Sequence, residues 1–145
     1  MEPIRVKRLK PSAKLPTYGS AEAAGADLYA CLDADVVIEP GESAFIPTGL
    51  AMEIPKGCAG LIYARSGLAC KRGLAPANKV GVVDSDYRGE FMVVLHNHGN
   101  QQQTVSHGER IAQLVITPVL TPGYFEAEEL SDTERASGGF GSTGN

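Results

Sequence analysis

Apolar and polar residues alternate in short bursts along this 145-residue chain. Nowhere do apolar positions hold the i, i+3, i+4, i+7 spacing of an amphipathic helix over three turns. The bursts fall at Ile4–Leu9, Ala26–Ala30, Val36–Glu39, Ser43–Ile46, Leu50–Ile54, Ala59–Tyr63, Val80–Val83, Phe91–Asn97, Gln103–Val105 and Ala112–Pro118, with a weaker one at Tyr124–Ala127. The 17 glycines and nine prolines punctuate the sequence every few residues and leave little room for a long helix. Short strands with turn signals roughly every 8–12 residues predict an all-β fold: a sandwich, jelly roll or barrel. No internal repeat emerges.

The pattern stops near Ala136. The last segment, ASGGFGSTGN, has one large apolar residue and four glycines. It can bury too little surface to offset the entropy of ordering it, which predicts a mobile arm when it is alone. The expected organisation is one domain over residues 1–135 and an arm over 136–145.

Composition narrows the function. The length suits one domain with a real core, and 43% hydrophobic with 21% charged residues is ordinary for a globular protein. A net charge of −4 and a pI near 5.3 disfavour a basic face that grips nucleic acid. A phosphate-bearing small molecule remains compatible, because a few placed arginines suffice for it. Cys31, Cys58 and Cys70 are irregularly spaced without a CxxC pair, the start MEPIRVKRLK lacks the apolar core of a signal peptide, and no apolar run reaches the ~18 residues of a membrane span. The expectation is a cytoplasmic protein with reduced thiols, bound neither to membrane nor to nucleic acid.

Three segments carry candidate chemistry. Val82 to Glu90 (VVDSDYRGE) runs from an apolar burst into two acids and an aromatic, then turns at Gly89 into Phe91–Leu95, and so reads as a hairpin with a polar tip. Asp, Ser and Gly are also ordinary formers of solvated turns. A calcium loop does not fit, because Arg88 occupies a ligand position and Leu95 stands where a bidentate Glu is required. Ala64–Ala69 (ARSGLA) places a guanidinium fork, a hydroxyl and backbone N–H groups at the start of a helical turn, which suits phosphate. The same residues equally describe a helix N-capped by Ser66 beside a surface arginine. Gly138–Gly144 (GGFGSTG) offers backbone donors and two hydroxyls for closing over a phosphate, or is simply a flexible end; it is no P-loop, lacking the lysine and a preceding strand. Asp27, Glu109 and Arg110 read singly as surface charges, and Gln113 as a residue that satisfies core backbone. His96 and His98 share one strand face, but no third metal ligand has suggestive spacing.

Taken together and in order, AGADL (24–28), ARSGLA (64–69), Asn78 with GVVDSDYRGE (81–90), GERIAQL (108–114) and RASGGFGSTG (135–144) resemble the five motifs of the trimeric dUTPase family. The resemblance implies a jelly-roll-like subunit in a homotrimer whose active sites are shared between subunits: the hairpin from one, the Arg65 and Gln113 segments from another, the arm from the third. It implies hydrolysis of dUTP to dUMP and pyrophosphate, which removes dUTP from the nucleotide pool and supplies dUMP for thymidylate synthesis. Asp84 would activate the water that attacks the α-phosphate. Asn78, Gly81 and Val83 would read uracil and Tyr87 would pack on the deoxyribose. Arg65, Ser66, Gly67 and Gln113 would hold phosphates, joined on closure by Arg135, Gly141, Ser142 and Thr143, with Phe140 over the base. Mg²⁺ would be the cofactor, riding on the triphosphate, with Asp27 acting on it through water. Ala64, Glu109 and Ala136 depart from the usual residues, and the partner of Glu109 is left open. The competing readings are a dCTP deaminase of the same fold and a non-catalytic nucleotide-binding β trimer.

Overall fold

The computed structural model describes residues 1–144. Twelve strands and one short helix follow in the order β1 (Val6–Arg8), β2 (Thr17–Tyr18), β3 (Ala26–Tyr29), β4 (Val36–Ile38), β5 (Ser43–Pro47), β6 (Leu50–Met52), β7 (Cys58–Tyr63), α1 (Ser66–Arg72), β8 (Leu74–Pro76), β9 (Gly81–Val83), β10 (Met92–Asn97), β11 (Gln103–Val105) and β12 (Arg110–Pro118). The fold is all-β and jelly-roll-like. Every one of the ten stronger apolar bursts contains or overlaps a strand. β2 and β8 come in addition, and Tyr124–Ala127 is not a strand.

All described pairings are antiparallel. The largest sheet runs β2-β3-β12-β7-β9, a second runs β5-β10-β8, and β1-β6 and β11-β4 form two-stranded ribbons. Alternation along β10 shows how they enclose one core. Val93, Leu95 and Asn97 point inward and are buried, while Met92, Val94 and His96 face out. Leu28, Ile46, Leu50, Leu74, Phe91 and Ile111 complete the interior, each no more than 1% exposed. The two fully buried polar side chains are satisfied. Asn97 donates to the carbonyls of Ile38 and Gln101 and accepts from Gly99, and the Thr48 hydroxyl donates to the Phe91 carbonyl at 2.6 Å.

One irregularity matters for the site. β12 is bulged against β3 between Arg110 and Ala112, so Ile111 and Ala112 are both buried in sequence. A strict period of two would put Arg110 and Gln113 on opposite faces, but the bulge brings both to the face that carries Asp27.

Two local expectations are corrected. β9 and β10 do not form a hairpin: β9 pairs with β7 in the large sheet and β10 with β5 and β8 in the other, so residues 84–90 cross between sheets. The helix is not capped by Ser66. Arg65 is the N-cap residue, in extended conformation, and no side chain caps it, which leaves Ser66 as the first helical residue. The chain leaves β12 at Pro118 and runs on exposed, with Leu120, Tyr124, Phe125 and Leu130 all at least 88% exposed.

Candidate active site

The crossing segment between β9 and β10 and the outer face of β10 form a cleft of about 360 Å³. Asn78, Gly81, Val83, Asp84 and Tyr87 all line it, so five of the residues singled out in the sequence come together there. Asp84 and Tyr87 sit in one turn, closed by the Tyr87 N–H donating to the Asp84 carbonyl at 3.2 Å. Tyr87 is fixed at both ends: its hydroxyl donates to the Glu90 carbonyl at 2.9 Å, and its ring lies 6.1 Å from that of Phe91. The ring passes directly over Gly89, where an added Cβ would stand 2.6 Å from Tyr87 Cζ. Only glycine leaves that space. Glu90 anchors the far side of the segment by accepting the Gly49 N–H at 3.0 Å.

A second depression, of about 290 Å³, holds Asp27, Arg65, Ser66, Gly67, Arg110 and Gln113. Here the Arg65 Nε donates to one Asp27 oxygen at 2.8 Å, and the Arg110 Nη1 lies 3.5 Å from the other. The Asp27 side chain is only 13% exposed, so a carboxylate with two guanidiniums organises this cradle from within. Gln113 fulfils the role its apolar neighbours suggested: its amide donates to the Ala64 carbonyl at 2.9 Å, tying β12 to the residue before Arg65. Ser66 and Gly67 are exposed at the surface of the cradle.

The cleft and the cradle share no lining residue. The arm residues line neither. Arg135 closes a turn of its own segment, its Nε donating to the Gly138 carbonyl at 2.6 Å, and Phe140 is fully exposed with Gly141, Ser142 and Thr143 beside it. Asn145, the end of the expected arm, lies outside the described residues.

Sequence reasoning missed the apolar wall of the cleft: Phe45, Ile62, Met92 and Val94. A signal for Phe45 existed. Alternation around buried Ile46 forces it outward, and an outward aromatic, 70% exposed here, marks a surface with a use. The sequence does not single out Arg110, because the bulge that turns it toward Asp27 is invisible there. The partner of Glu109, left open by the sequence, is Arg72, with Nη1 3.1 Å from Oε1. His96 Nδ1 lies 2.9 Å from the Ser43 hydroxyl, and no group of three or more His, Cys, Asp or Glu residues placed to hold a metal occurs among the described residues. The three cysteines are free thiols, Cys31 buried and Cys70 exposed. No helix among the described residues is long and apolar enough to cross a membrane.

Comparison with known proteins gives the family of the chain. The model of the dUTPase family matches residues 11–144. The deoxyuridine 5'-triphosphate nucleotidohydrolase of Syntrophotalea carbinolica is 50% identical over 141 residues, covering 97% of this chain and 96% of that protein. Among solved structures, a point mutant of the Staphylococcus bacteriophage 80alpha dUTPase with dUpNHpp superposes with a TM-score of 0.91 at 31% identity, covering 100% of both chains. A mutant dUTPase from phage phi11 of S. aureus, described as revealing the coordination of a structural Mg(II) ion, superposes with a TM-score of 0.80 at 27% identity over 88% of this chain and 98% of that one. The chain belongs to the dUTPase family.

Proposed function

We propose that the protein hydrolyses dUTP to dUMP and pyrophosphate, with the nucleoside in the cleft of one subunit and the phosphates in the cradle of another. The observation that carries this reading is the position of Asp84, which shares a cleft with the base-reading residues and with Tyr87 while the arginine cradle lies elsewhere on the chain. A carboxylate lining the nucleoside cleft supports one role. Asp84 takes a proton from a water as that water attacks the α-phosphorus, the bond to the bridging oxygen of the β-phosphate breaks, and pyrophosphate leaves.

Asn78 and the backbone of Gly81 and Val83 read the uracil edge, because a base with transposed donors and acceptors leaves buried polar groups unpaired. Tyr87, held over Gly89, packs on the sugar and fills the space a 2′-hydroxyl needs. Arg65, Ser66, Gly67 and Gln113 hold the phosphates. The arm then folds over the site, bringing Arg135, Gly141, Ser142 and Thr143 to the triphosphate and Phe140 to the base, which excludes bulk water and strengthens the charge interactions inside.

The cradle fits Mg²⁺ carried by the substrate. Asp27, whose oxygens each keep a lone pair beyond the arginine contacts, would hold the ion through its bound water, and the triphosphate would supply the direct ligands. When bound, the ion neutralises charge on the triphosphate.

Sharing between copies, in a homotrimer, is supported by the separate cleft and cradle. The exposed Leu120, Tyr124, Phe125 and Leu130 add to this, since a single chain gives them nothing to pack on. Complementation tests it. Asp84→Asn and Arg65→Ala proteins are each inactive; unfolded and refolded together, they regain activity at roughly a quarter of the sites, the random share in which a functional Asp84 faces a functional Arg65 across a heterologous contact. No recovery would place both groups in one subunit.

A further inference from the structure

We propose that Arg72 and Glu109 form a clamp that positions the phosphate-binding segment Arg65–Gly67, although neither side chain touches substrate. The inference rests on the assignment of Arg65, Ser66 and Gln113 to the triphosphate. α1 is a helix that cannot hold itself: seven residues are too few to be stable alone, and no side chain caps its start. Tertiary contacts must fix it. Leu68 is buried on one side, and Gly73 ends the helix in the left-handed conformation at φ 64°, where a Cβ would stand 2.8 Å from the Gly99 backbone nitrogen.

A further anchor is Arg72, in the last turn. Its guanidinium spreads over three acceptors from one stretch of chain: Nε donates to Gln103 Oε1 at 2.9 Å, Nη1 to Glu109 Oε1 at 3.1 Å, and Nη2 to the Thr104 carbonyl. Only arginine carries donors in such a fork. Glu109 is equally committed. Its second oxygen accepts the Ser106 N–H at 2.9 Å, and its backbone carbonyl accepts from Ala30 at 2.8 Å. Glu109 is therefore a fixed point on the body, one residue before β12 begins.

The consequence is a link at both ends between the two phosphate-binding segments. Gln113 on β12 ties the front of α1 through the Ala64 carbonyl, and Glu109 at the root of β12 ties its back through Arg72. These two ties, together with the Arg65–Asp27 pair, hold Ser66 relative to Gln113.

The experiment compares binding of dUpNHpp, which fills cleft and cradle, with binding of dUMP, which rests chiefly in the cleft. In Arg72→Gln and in Glu109→Gln, dUpNHpp affinity falls about tenfold while dUMP affinity stays within about twofold. The double variant is no weaker than the worse single one, as expected of two residues acting as a unit. Arg72→Lys keeps the charge without the fork and gives a clear part of the loss, so the measurement survives a glutamine variant that fails to fold. Parallel loss of both ligands would make the pair a general stabiliser and overturn the proposal. Unchanged dUpNHpp affinity, with Arg65→Ala still weakening it, would overturn the clamp alone. If Arg65→Ala also left it unchanged, the phosphate assignment would fall and the clamp with it.

Discussion

Arg65 donates its Nε to the Asp27 carboxylate at 2.8 Å, and that bond leaves the two terminal nitrogens of the guanidinium for another partner. Arg110 approaches the same carboxylate from the other side at 3.5 Å. Asp27 thus keeps two like charges close together and aims one of them. Asp27→Asn retains the shape and loses the charge, so Arg65 loses its orientation and repulsion from Arg110 is no longer offset. The expected result is a fall of about tenfold in kcat/KM for dUTP with the fold intact. Unaltered kcat/KM would mean that Arg65 needs no such aim.

Asp84→Asn separates binding from chemistry. The amide cannot take the proton of the attacking water, and loss of a general base costs about 10²–10⁴-fold in rate. Since Asp84 lies in an exposed turn, the substitution disturbs little packing, and dUpNHpp should bind with near-normal affinity. Turnover retained in steady-state kinetics would remove Asp84 from the role of base.

Gly89→Ala tests the sugar contact without touching Tyr87 itself. The new Cβ would stand 2.6 Å from Tyr87 Cζ, so the ring must move off the position it holds through the Glu90 carbonyl. The ratio of kcat/KM for UTP to that for dUTP should rise, by about tenfold or more. An unchanged ratio would show that the 2′-hydroxyl is excluded elsewhere.

Much of the fold is legible in the sequence, and the gaps have physical causes. Alternation located strands such as β10 because one face of each is buried. It could not find β2, two exposed residues at a sheet edge, nor β8, three residues that start just past a helix end and finish at Pro76. The run through Asp84 and Gly89 looked like a hairpin because turn chemistry is local, whereas the partners of β9 and β10 are chosen by the rest of the core. Ser66 looked like a cap because residue type was the only signal. Motif order picked out residues that line the cleft and the cradle, but not their neighbours. The bulge at Ile111, which moves Arg110 beside Asp27, leaves no trace in periodicity, and Phe45 belongs to no motif.

The arm gives a fourth prediction. Phe140 contacts nothing in the isolated chain, and Ala136 holds the left-handed φ of 48°, a conformation that costs an L-residue about 1 kcal/mol or more. Truncation before Ala136 should leave thermal stability and assembly unchanged while sharply lowering dUTP hydrolysis. Kinetics equal to those of the full chain would make the arm an ordinary exposed end.

The most direct test of the account is pyrophosphate release from dUTP, measured beside dTTP, dCTP and UTP, with and without Mg²⁺, while ammonia release from dCTP is followed in parallel. The account predicts Mg²⁺-stimulated release from dUTP alone and no ammonia. A folded, assembled protein that releases no pyrophosphate from dUTP, or that liberates ammonia from dCTP, would contradict it.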